Sequence, residues 1–88
     1  MDATHYARLD EILRGLLIRF GDRLPPEETV ELANCLDRGL YGLALEWLAD
    51  GVTELGLQVA ADERAEILRL ARLMGISEYV ERALDQLA

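Results

Sequence analysis

The sequence predicts an all-α fold, a single compact bundle of four to five short antiparallel helices spanning residues 1–88. Three observations support that prediction. Apolar residues recur at spacings of three and four along the chain, the period of an amphipathic helix. No segment alternates with period two beyond Leu57-Gln58-Val59, too short to found a sheet. The breaks between helical segments are short and carry Pro or Gly, as expected between neighbours in a bundle.

The first helix is expected from about Ala3 to Asp22. Tyr6, Leu9, Leu13, Leu16, Leu17 and Phe20 form its apolar stripe, with Arg8, Asp10, Glu11 and Arg14 off it. Asp2 or Thr4 would cap its start. Gly15 lies inside it and reads as a close helix–helix contact. Leu24-Pro25-Pro26-Glu27-Glu28 is the clearest boundary. A proline at the first helical position is pre-organised, and acids in the first turn favour the macrodipole. The second helix then runs from about Pro26 to Asp37, with Val30, Ala33 and Leu36 inward and Leu32 and Cys35 beside them.

Arg38-Gly39 closes that helix, and a third is expected from about Leu40 to Leu55. Leu40, Ala44, Trp47, Leu48, Gly51 and Leu55 are assigned to its inner side, flanked by Tyr41, Leu45 and Val52. Gly56 occupies the place of a left-handed C-terminal cap. The fourth helix spans about Asp62 to Met74 and stops at Gly75. Ile67, Leu70, Ala71 and Met74 face inward on it. Ser77 would cap a last helix from Glu78 to Leu87, with Val80, Leu84 and Leu87 inward.

Composition bounds the function. Eighty-eight residues make one small domain with a radius of gyration of about 12 Å. Seventeen acidic residues face nine arginines with no lysine, for a formal net charge of −8. That field opposes DNA, RNA and anionic lipid and attracts a basic protein surface. The N-terminal stretch lacks a basic region ahead of an apolar run, so it does not read as a signal peptide. No apolar run is long enough to span a membrane. Cys35 is the sole cysteine, so no intrachain disulfide forms, and a cytoplasmic location is expected.

Residues that perform chemistry are scarce. With His5 the single imidazole and Cys35 the single thiol, a zinc, haem or iron–sulfur site is not expected. His5 reads as a solvated histidine near a terminus, without an oriented nucleophile beside it. The glycines are scattered and form no phosphate-binding loop. No cofactor, metal or catalytic residue is assigned, and the chain reads as a non-enzyme. The pairs Glu27–Glu28 and Asp62–Glu63 lie near helix starts and read as capping charges.

Glu46, Asp50 and Glu54 are different. They follow at i, i+4 and i+8 on the third helix, which holds no arginine to offset them. Like charges at that spacing destabilise an isolated helix by a few tenths of a kcal/mol per pair. The row reads either as a solvated face that tolerates its charges or as a docking surface for a cationic partner. Tyr41, one turn earlier, is the candidate aromatic anchor, and Asp37 at the corner between the second and third helices is a further acid.

The run Tyr41-Gly42-Leu43-Ala44-Leu45-Glu46-Trp47-Leu48-Ala49-Asp50 is followed by Ala60-Ala61-Asp62-Glu63, Ile67, Leu70-Ala71 and Leu73-Met74-Gly75-Ile76. This stretch resembles the MafI-type immunity proteins, small helical inhibitors of bacterial polymorphic and contact-dependent toxin systems. The resemblance implies binding and neutralisation of a cognate protein toxin, commonly a nuclease, inside the producing cell. A nuclease is basic on its substrate face, which suits an acidic inhibitor. The expected mechanism is stoichiometric occlusion through Asp37, Tyr41, Glu46, Asp50 and Glu54. The alternative is a non-catalytic helical module that pairs with itself as a homodimer, suggested by the leucine content.

Overall fold

A computed structural model describes residues 3–86 as five helices joined by short turns, with no strand among the described residues. They are α1 (Ala3–Phe20), α2 (Pro26–Asp37), α3 (Tyr41–Glu54), α4 (Ala61–Leu73) and α5 (Ser77–Leu84). Asp2 and Leu87 lie outside the described residues. The radius of gyration is 12.0 Å, matching the value expected for the chain length.

The stripe of α1 forms as its spacing dictates. Leu9, Leu13, Leu16 and Phe20 are buried, whereas Tyr6 at its start is 43% exposed. Pro25 precedes α2 in extended conformation and Pro26 opens the helix. Three helices end alike. Gly39, Gly56 and Gly75 take positive φ values of 73°, 62° and 74°. The residue after each donates its amide back to the helix: Leu40 to Cys35 O, Leu57 to Val52 O and Ile76 to Ala71 O, each at 2.9 Å. These are Schellman closures, which reverse the chain within a few residues.

Helix α3 is the centre of the molecule and packs against all four others. Its buried arc is Ala44, Leu45, Leu48, Ala49, Gly51 and Val52. The expected inner stripe is therefore corrected: Leu40, Trp47 and Leu55 are 44%, 43% and 46% exposed. The small residues Ala44, Ala49 and Gly51 share the buried arc with Leu45, Leu48 and Val52, and Trp47 turns outward. A similar rotation applies to α2, where Leu32, Cys35 and Leu36 are buried and Val30 is 57% exposed. Gly15 is exposed with nothing within 4 Å of a Cβ placed there, so it mediates no helix contact. Helix α5 starts at Ser77 itself, so its hydroxyl is not the cap.

The ends of α1 and α4 are tied by charge. Glu63 is 2% exposed. It accepts two hydrogen bonds from Arg23, at 2.7 and 2.9 Å, and lies 3.2 Å from Arg19 Nε. The Ala60 amide donates to it at 2.9 Å, closing the start of α4. Arg23 also donates to the carbonyls of Gln58 and Arg19 and lies over the Phe20 ring at 4.2 Å. The Arg23 guanidinium holds the Glu63 carboxyl down at about 2, with help from the Ala60 amide and against the cost of desolvation. Glu63 therefore does more than cap: it is an interhelical clamp.

Candidate functional site

The α3 turn of 3.6 residues sets Glu46, Asp50 and Glu54 on a slowly winding row across the outer side of the helix. Glu46 and Asp50 are half-buried and Glu54 is exposed. Among the described residues none of the three has an ion-pair partner. Several arginines around the bundle are engaged elsewhere, and Arg38 at the end of α2 forms no ion pair with the row. Arg14 pairs with Asp10 and Asp37, Arg19 and Arg23 with Glu63, and Arg64 with Asp85.

Helix α5 contributes one polar neighbour to the row. The Tyr79 hydroxyl donates to Asp50 Oδ2 at 2.6 Å. That hydrogen bond raises the Tyr79 pKa above its ordinary value, with desolvation and the negative charges of Asp50, Glu46 and Glu54 acting in the same direction.

Helix α2 contributes two more acids. Glu28, Glu31, Asp50 and Glu54 surround a groove of about 340 Å³ between α2 and α3. Leu32, Trp47 and Gly51 complete its lining. Glu28 and Glu31 also lack an ion-pair partner among the described residues. Gly51 permits the arrangement locally. A Cβ placed on it would lie 2.7 Å from Glu28 Oε2, so a larger residue there would make that flexible carboxylate shift from its place against the α3 backbone. Beyond the groove, Leu40, Leu43 and Trp47 line an adjoining depression with Glu31, Asn34, Cys35 and Arg38. Each of those three large apolar side chains is more than a third exposed, Leu43 least at 37%.

The structure separates Asp37 and Tyr41 from this site. Asp37 accepts from Arg14 at 2.8 Å and belongs to the α1–α2 junction. Tyr41 stacks on Tyr6 with ring centroids 6.2 Å apart and packs against the core. Nine residues of α-helix place Tyr41 about half a rotation from Asp50, on the inward side. The exposed aromatics beside the acids are instead Trp47 and Tyr79, 43% and 47% exposed.

Sequence reasoning assigned Trp47 to the core and gave Tyr79 no role. The signal for Trp47 lay in the small residues: Ala44, Ala49 and Gly51 mark the close-packed sides of α3 and leave the outside to Trp47. Tyr79 carried no such signal, and whether the acids of α2 share a face with α3 depended on packing, because both reach the site across helix contacts.

The chemistry available at the site is electrostatic and aromatic. Among the described residues no group of three or more His, Cys, Asp or Glu side chains is placed to hold a metal ion. His5 is half-buried, edge-on to Tyr6 at 5.7 Å. Cys35 is buried. Among the described residues no helix is long and apolar enough to cross a membrane. No family model matches the chain, and no curated protein or solved structure matches it.

Proposed function

We propose that this chain is a non-catalytic immunity protein that binds a cognate, cation-rich bacterial toxin in the cytoplasm and neutralises it by one-to-one occlusion. One observation carries the reading. Four carboxylates from α2 and α3, Glu28, Glu31, Asp50 and Glu54, line a groove with an exposed tryptophan, Glu46 continues the row along α3, and none of the five has a guanidinium partner among the described residues. Carboxylates that the fold leaves open steer a basic partner and select for it. An exposed aromatic among them provides the anchor that interfaces favour. The resemblance of the Tyr41–Ile76 stretch to MafI-type immunity proteins supplies the partner class, with a nuclease the leading candidate. The site is now centred on Glu46, Asp50, Glu54, Trp47 and Tyr79 rather than on Asp37 and Tyr41.

The test is binding of a candidate nuclease toxin domain to wild type and to Glu46→Lys/Asp50→Lys. The expected result is at least a tenfold loss of affinity, about 1.4 kcal/mol, and a weaker salt dependence. Unchanged affinity with unchanged salt dependence would exclude this surface.

A second reading, self-association, draws on Ile18 and Leu73, which are 80% and 52% exposed. Light scattering coupled to size exclusion separates the two. A salt-insensitive homodimer favours self-association, and a monomer favours a different partner.

A further inference from the structure

The groove between α2 and α3 has a more specific shape than a general acidic surface requires. Resting on the reading above, we propose that it receives an arginine side chain from the basic partner, in preference to lysine. A space of about 340 Å³ is near the lower limit for ligand cavities, and it admits one side chain rather than a helix about 10 Å across.

Three features select guanidinium. Acids approach from both helices, Glu28 and Glu31 on one side and Asp50 and Glu54 on the other. A planar fork with five N–H donors satisfies such acceptors where a point charge does not. The wall is the Trp47 indole, on which guanidinium stacks by cation–π and planar contact. Leu32, which is buried, adds an apolar part to the lining that a strongly hydrated ammonium would have to lose water to reach.

Gly51 links sequence to this geometry. Glycine weakens a helix interior. Here it makes room for the Glu28 carboxylate, which lies 2.7 Å from where a Cβ would be. The adjoining exposed strip of Leu40, Leu43 and Trp47 suits the apolar surface around the incoming arginine. Arg38 borders that strip beside Glu31, and the groove's four acids form no ion pair with it or with any other arginine among the described residues.

Trp47 is the only tryptophan in the chain, so its fluorescence reports on the groove directly. The experiment titrates the full chain, at low ionic strength, with a blocked tetra-arginine peptide and a blocked tetra-lysine peptide of equal charge. The expected result is a Trp47 spectral change with the arginine peptide and an affinity about five-fold higher than for lysine. Gly51→Ala places a methyl under the Glu28 carboxylate without changing any charge. It should remove the arginine preference while circular dichroism shows an unchanged helical fold. Glu28→Gln, which keeps the side-chain shape, should lower arginine affinity about three-fold and provides a second route. Equal affinity for the two peptides, or an arginine preference that survives both substitutions, overturns the arginine groove and leaves the acidic-face reading standing. No binding of either peptide overturns both.

Discussion

Two sets of carboxylates in this small molecule meet opposite fates. Glu63, at the start of α4, is enclosed by Arg19, Arg23 and the Ala60 amide. Glu28, Glu31, Asp50 and Glu54, around the α2–α3 groove, and Glu46 farther along α3 form no ion pair among the described residues, and Asp50 accepts from a tyrosine hydroxyl. The residue types are the same and the helix propensities nearly so. The difference lies in which guanidinium groups the fold brings within reach. Paired acids hold helices together. Open acids cost a little stability through mutual repulsion and keep their charge available to another molecule.

The contrast breaks most sharply at Glu63. Glu63→Ala should cost about 2–3 kcal/mol in urea denaturation. That is less than the full penalty for breaking a buried pair, because Arg19 and Arg23 are partly exposed and turn to water. Acid gives the same information without mutation. The Glu63 pKa is lowered in the folded state, so its contribution is fully present above the ordinary value of 4.5 and is lost as pH falls from there towards about 2. Thermal midpoints measured across that window should fall in wild type and fall less in Glu63→Gln.

On the open side the expected stability effects are small and of opposite sign. Glu46→Lys/Asp50→Lys should leave stability within about 0.5 kcal/mol of wild type, or raise it slightly by relieving repulsion, while toxin binding collapses. A loss comparable to that of Glu63→Ala would show that the row is structural. The smallest effect is local. Asp50→Asn should lower the titration midpoint of Tyr79 towards that of an ordinary tyrosine, read by ultraviolet difference spectroscopy, because the charge that favours the protonated phenol is removed. An unchanged midpoint would mean that the hydrogen bond does not persist in solution.

Much of the fold was legible along the chain. Pro26 opened α2, and the glycines at 39, 56 and 75 closed three helices where they were expected, because a proline's fixed φ and a glycine's positive φ are local properties. The stripe Leu9, Leu13, Leu16 and Phe20 was equally clear, since one long helix has a single buried side. Helix α3 was harder to read. It contacts every other helix, so most of its circumference is apolar or small, and periodicity alone could not say which large residue faced out.

The candidate site divides the same way. Glu46, Asp50 and Glu54 share a row because four residues nearly complete a helical turn, and the absence of any basic residue from α3 is written in the sequence. That Asp37 is taken by Arg14, that Tyr41 stacks on Tyr6, and that Trp47 and Tyr79 stand beside the acids depends on contacts between helices far apart in sequence. The sequence by itself determined an acidic all-α chain, the approximate places of its helices and one row of acids without a basic residue on the same helix. Only the tertiary structure decided which acids were neutralised and which aromatics were exposed, because ion pairing and burial act through a few ångströms of space and take no account of separation along the chain.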